Sequence, residues 1–115
     1  MEVYTFPVVS NSVADGNYDF DMGSTRAGVD LFLDEFRFVD SSGVDVIPSA
    51  GSVSVQVSSD GTFWRELNDG SFAATVDTKS SAYKPPSGLA AAKLIRVSLS
   101  GVVGASGFIA TAVKG

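Results

Sequence analysis

Apolar and polar residues alternate with a period of two along much of this chain. In the run SVSVQV, residues 52–57, Val53, Val55 and Val57 fall on one face and Ser52, Ser54 and Gln56 on the other. That alternation predicts a half-buried antiparallel strand. KLIRVSLS, residues 93–100, repeats the pattern, with Ile95, Val97 and Leu99 inward and Lys93, Arg96 and Ser98 among the outward positions. GFIATAV, 107–113, follows the turn residues GVVGASG as a last short strand. Near the start, EVYTFPVV alternates Tyr4, Phe6 and Val8, but Pro7 lacks the N–H that a ladder needs. This predicts an edge strand, or one broken by a bulge.

Three further segments, NYDFDM (17–22), VDLFLDEFRFV (29–39) and SFAATV (71–76), complete the set. In 29–39, Leu31, Leu33, Phe36, Phe38 and Val39 do not keep one strict period, so a helix competes there. A bulge near Asp34-Glu35 restores inward pointing for the phenylalanines and favours a strand. The connection AYKPPSGLAAAK, 82–93, is expected to cross between sheets in extended form, with SGLAAAK able to make one helical turn. Seven or eight short strands at intervals of about 8–12 residues, with Gly, Ser and Asp turns between them, predict an all-β fold. The expected architecture is an antiparallel β-sandwich of jelly-roll type, forming a single domain over residues 1–115.

The stretch VQVSSDGTFWREL, 55–67, holds the chain's one tryptophan just past a Ser-Asp-Gly turn. A two-residue Asp60-Gly61 loop sets Val57 opposite Trp64 and Val55 opposite Glu66. A three-residue Ser59-Asp60-Gly61 loop with a Gly bulge instead pairs Val57 with Phe63, Val55 with Arg65 and Val53 with Leu67. The second register joins more apolar residues and is the one expected. It sends Trp64 to the polar face of Ser54 and Gln56, where an exposed aromatic reads as a contact residue. The competing reading is that a loop or the second sheet covers it. Tyr4, Arg65, Tyr83, Pro85 and Pro86 join Trp64 as candidate partner-contact residues.

Composition narrows the chemistry. With neither cysteine nor histidine among 115 residues, there is no disulfide framework and no thiolate or imidazole metal site. The usual neutral-pH general base is also missing. The expectation is a protein that is not an enzyme, with no catalytic residues, no metal and no cofactor. Asp15, Asn17, Asp19 and Asp21 alternate like half of a calcium loop, but Phe20 and Arg26 stand where that loop needs Gly and Glu. They read as the solvated face of a strand, with a surface calcium site as the lesser alternative. Asp34 and Glu35 are adjacent and would point to opposite faces of a strand, unlike a glycosidase pair.

Net charge is −5, divided into −8 over residues 1–60 and +3 over 61–115. Such an acidic chain is a poor nucleic-acid ligand. The asymmetry fits two halves that interleave as neighbouring strands, or complementary patches that orient one copy against another. Arg96 reads as a packed surface arginine or an internal ion pair. No basic leader and no long apolar run is present, so the expected product is soluble and made in the cytoplasm, without a membrane.

Two resemblances add to this. VSVQVSSDGTFWREL together with KLIRVSLSG resembles the core of discoidin-like galactose-binding sandwiches, over about a third of the chain. GTFWRELNDGSFAATV, the Pro-Pro stretch and AAAKLIRVSLSGVVGASGFIATAVKG resemble small bacteriophage virion accessory proteins. That likeness implies a capsid decoration (cement) protein on the virion surface, holding the major capsid protein lattice and forming a homo-oligomer. The alternative is a carbohydrate-binding module of a phage tail or adhesin, with Trp64 and Tyr83 as stacking platforms.

Overall fold

The computed structural model describes residues 2–9, 15–23, 30–89 and 92–114. Nine strands are present among them: β1 (Glu2–Val9), β2 (Gly16–Asp21), β3 (Asp30–Val39), β4 (Asp45–Val46), β5 (Ala50–Ser58), β6 (Arg65–Ala73), β7 (Ser87–Leu89), β8 (Leu94–Val103) and β9 (Gly107–Lys114). All pairings are antiparallel, and the hydrogen-bonded order is β1-β9-β3-β7-β6-β5-β8-β2, with β4 pairing β3 off this path. The sheet curls into a half-barrel. Its two halves, β1-β9-β3-β7 and β6-β5-β8-β2, are joined through the Asn68–Ser87 bridge.

The curl follows from the alternation. Val53, Val55 and Val57 of β5 stand opposite Leu99, Val97 and Ile95 of β8, and all six are buried. Across the core, Phe38, Phe36 and Leu33 of β3 stand opposite Phe108, Ala110 and Ala112 of β9, again buried. A sheet with one apolar face must bury it, and here each half buries its face against the other. Small alanines on β9 leave room for large rings. Phe36 stacks on Phe108 with centroids 5.3 Å apart at 22°. Phe72 of β6 meets Phe36 edge-on at 5.6 Å, while Tyr18 and Phe20 of β2 meet Phe108 edge-on at 5.3 and 6.3 Å. Rings from β2 and β6 thus lock onto β3 and β9.

The β3 bulge lies where the broken periodicity predicts it. Pairing with β9 slips between Leu33 and Glu35, so Leu31 and Leu33 before it and Phe36 and Phe38 after it all face the core. β1 ends the strand order, as expected for a strand holding Pro7. A second slip, between Ala50 and Ser52 of β5, has Gly51 at its centre. A Cβ there would lie 2.6 Å from the Val102 Cα, and its φ of +119° disfavours other residues.

Three expectations need correction. Neither short loop forms between β5 and β6. Val57 pairs with Arg65 and Gln56 with Glu66, leaving a six-residue connection from Ser59 to Trp64. The cause is Asp60, whose Oδ1 accepts the amides of Thr62 and Phe63 at 2.8 and 3.0 Å. The amide of Gly61 donates to Ser58 Oγ at 2.8 Å. These bonds hold a wider turn than a hairpin loop, and Phe63 is left 74% exposed rather than paired with Val57. Second, the strand at 71–76 is the end of a longer one that stops at Ala73. Third, Ser87–Leu89 forms a strand rather than the start of a helical turn; Ala90 and Ala91 of that segment lie outside the described residues.

Phe108→Ala should cost about 3–5 kcal/mol, the range for a large aromatic removed from a core. Urea unfolding measures it, and a loss under about 1 kcal/mol would show that the packing of Tyr18 and Phe20 on Phe108 does not hold the two halves together.

Candidate functional site

The outward face of the β6-β5-β8-β2 half is polar and ordered in rows. Each inward valine or leucine alternates with a hydrophilic residue, and cross-strand register lines these up. Ser71, Ser54, Ser98 and Asn17 form one row, and Glu66, Gln56, Arg96 and Asp19 the next. Side chains link along and between the rows. Ser98 Oγ donates to Asn17 Oδ1 at 2.6 Å, Gln56 Nε2 donates to Ser54 Oγ at 3.3 Å, and Ser71 Oγ donates to Glu66. A shallow depression of about 350 Å³ lies here, with Ser52, Ser54, Ser71, Ser98 and Ser100 among its lining.

Trp64 lies at the border of this face. The Arg96 guanidinium sits 3.8 Å from the centroid of its ring, a cation–π contact of about 0.5–1 kcal/mol at an exposed site. Asp19 grips the same guanidinium with two bonds, Nε to Oδ1 at 2.7 Å and Nη2 to Oδ2 at 3.0 Å. That grip raises the Arg96 pKa above the ordinary arginine value, with burial opposing it. Backbone register places Asp19, and Asp19 places Arg96 under the indole. The polar-face expectation for Trp64 therefore holds, although the register that led to it does not.

The other predicted contact residues do not gather around it. Arg65 is exposed at the start of β6, and Pro85 is exposed in the connection before β7. Tyr4 lies on β1, opposite Ala112 at the far end of the strand order; its side chain lies outside the described residues. Pro86 is buried, because its carbonyl accepts the Leu33 amide at 2.8 Å and ties the crossing to β3; it is a packing residue, not a contact. Tyr83 packs edge-on against Phe72 at 5.3 Å, and Phe72 faces the core beside Phe36. Burial pushes the Tyr83 phenol up to about 12, and its hydroxyl has no hydrogen-bond partner among the described residues. Trp64 and Tyr83 thus sit on opposite sides of the sheet and form no joint platform.

The alternating acids of β2 are occupied. Asp19 holds Arg96, Asp15 accepts the Gly101 amide at 2.9 Å, and Asp21 accepts the Gly23 amide at 2.7 Å with Lys93 3.9 Å away. No cluster of three potential metal ligands occurs among the described residues.

A second site was not foreseen. A groove of about 430 Å³ opens at one end of the molecule, with Phe38, Val46, Ile47 and Val76 in its walls. Beside it, Arg37 bonds Glu35 at 2.6 Å and Asp45, and Lys79 bonds the same Asp45. Lys79 and then Arg37 hold the Asp45 carboxyl below the usual carboxylate range. Asp45 and Glu35 in turn raise Arg37. The groove walls come from three separate segments, which pattern reading along the chain does not bring together. The apolar cluster Val44, Val46 and Ile47 just past the DSSG turn was its one local signal. Comparisons with protein-family models, with curated proteins and with solved structures found no match to the chain.

The Asp60 turn gives a test of sign. Amides of Phe63 and Thr62, then the Ser58 hydroxyl, hold the Asp60 carboxyl below its model-compound value of 3.8. A lowered native pKa adds stability that is whole above 3.8 and disappears as pH falls through the native value. Asp60→Asn keeps an acceptor oxygen but loses the charge. Acid unfolding curves should therefore converge for the two proteins below pH 3.8, with wild type the more stable above it. A constant gap at every pH would contradict this.

Proposed function

We propose that this protein is a jelly-roll structural module that attaches to a larger protein assembly through the outward face of β6-β5-β8-β2, as a capsid decoration protein attaches to a shell of major capsid protein. The jelly-roll reading is supported by strand order. The halves β1-β9-β3-β7 and β2-β8-β5-β6 have the connectivity of two four-stranded sheets whose chain crosses from one to the other between paired strands. The resemblance to phage virion accessory proteins supplies the kind of assembly.

One observation carries the attachment face: the Trp64–Arg96–Asp19 arrangement, with the guanidinium 3.8 Å from the indole centroid and doubly bonded to the carboxylate. Tryptophan and arginine are the residues most enriched at binding hot spots. Side chains already held in place lose less entropy when a partner arrives. The surrounding serines supply donors and acceptors that suit a polar rim. The resulting role is mechanical, since a decorating protein acts by bridging neighbours and gains from repetition across a lattice.

A second reading rests on the serine-lined depression on the same outward face. Its hydroxyls, with the Trp64 ring at the border of that face, also suit a glycan, as in a tail or adhesin module. In this reading Trp64 acts without Tyr83, which packs inward.

The purified protein should co-sediment with assembled shells of the major capsid protein and saturate at a fixed number of copies per shell. Trp64→Ala should weaken attachment at least about tenfold, the scale of a hot-spot loss, while leaving the melting temperature within a few degrees. No attachment, or a Trp64-dependent hit on a glycan array, overturns the shell reading, and the second outcome selects the module.

A further inference from the structure

Four of the six exposed large apolar side chains among the described residues gather at one end. Val44, Ile47, Val76 and Val103 are 60%, 59%, 38% and 55% exposed, and all lie in the turns and strand ends at the end of the molecule that holds the groove. β3 ends there, β5 and β9 begin there, and the Ser49 amide bonds the Val103 carbonyl at 2.9 Å. Isolated exposed valines need no explanation, but a cluster rimming a groove marks an interaction surface.

Phe63, 74% exposed, stands at the other end. It crowns the turn that joins β5 to β6, so the full length of those strands separates it from the groove. Nine residues of β5 at about 3.4 Å each make roughly 30 Å, against a longest molecular dimension of 37 Å. The turn beneath Phe63 is rigid. Asp60 Oδ1 accepts the Phe63 amide itself at 3.0 Å, so the ring is presented on a fixed stalk.

We infer that copies of this chain associate head to tail, the Phe63 ring of one copy seating in the groove walled by Phe38, Val46, Ile47 and Val76 of the next. Size permits it, since a cavity of about 150 Å³ already accepts a benzene ring and the groove measures about 430 Å³. Charge favours it as well. Arg65, two residues beyond the knob, makes no ion pair among the described residues, and neither does Asp77 in the groove lining. The groove lining holds two carboxylates, Asp45 and Asp77, and two cations, Arg37 and Lys79, and both cations are committed to Asp45. An incoming Arg65 meets the remaining carboxylate, Asp77. Knob and groove lie at opposite ends of one copy, so the contact is heterologous and continues from copy to copy, closing into a ring or running on as a filament. The contact uses Phe63, Arg65 and the groove at the opposite end, and uses neither the Trp64 ring nor Arg96, so the inference stands or falls without the attachment reading.

Two surface variants test it with the protein alone. Phe63→Ser removes the knob and leaves the groove, while Ile47→Asp blocks the groove and leaves the knob. Both positions are exposed, so both variants should melt near wild type. Sedimentation velocity across a concentration series should show wild type growing beyond dimers and each variant at least tenfold weaker in self-association. An equimolar mixture of the two should form a one-to-one heterodimer that grows no further, because only one intact knob and one intact groove can meet. Arg65→Asp and Asp77→Arg should each weaken assembly, and mixing or combining them should restore it. A wild type that stays monomeric, variants that still assemble, a wild-type dimer that is symmetric and stops at two, or a mixture that stays monomeric overturns the inference.

Discussion

Phe36 and Phe108 stack at 5.3 Å on the neighbouring strands β3 and β9, and the shape of the molecule depends on the rings that reach this pair from the other half of the sheet. The two halves of the sheet share little backbone, since among the described residues β6 and β7 meet only at the Asn68–Ser87 bridge. Hydrogen bonding therefore does not hold the curl closed. Ring packing does: Phe72 from one half and Tyr18 and Phe20 from the far strand of that half all reach the same pair of rings. With the apolar faces committed inward, each strand of the β6-β5-β8-β2 half turns its serines, acids and Arg96 outward. That polar face is the outer surface of the same alternation that builds the core.

That coupling explains why so much of the fold is readable along the chain. A period of two in 52–57 and 93–100 leaves one choice of inward face for each strand, and the valines of both faces meet in the core, Val55 on Val97. The stagger in 29–39 is more informative, because two apolar sets out of phase demand an extra residue between them. The slip after Leu33 supplies it. Charge asymmetry also has a structural cause: Asp19 with Arg96, Asp21 with Lys93 and Asp45 with Lys79 each pair the acidic first half with the basic second.

Other parts were hidden for equally physical reasons. The β5–β6 turn depends on which amides the Asp60 side chain captures, and strand alternation carries no signal of that choice. Reading Gly61 as a hairpin bulge gave Phe63 a partner it does not have. The buried Pro86 and the inward Tyr83 belong to a connection whose composition looks like exposed linker, yet β7 draws it between β3 and β6. The groove needs Ile47, Val76 and Arg37 together, and only the folded sheet juxtaposes them. Of the candidate contact residues, Trp64 meets the outward polar face, where Arg96 of the strictly alternating β8 lies against its ring.

Native-state amide hydrogen exchange tests the central claim most directly, that one aromatic core closes both halves of the sheet as a unit. The account predicts that the slowest amides of β3 and β9 and those of β5 and β8 exchange with the same opening free energy, equal to that of global unfolding. It also predicts that both sets weaken together when the ring at position 108 is truncated. Two distinct opening energies, with β5 and β8 protected after β3 and β9 have opened, would contradict it.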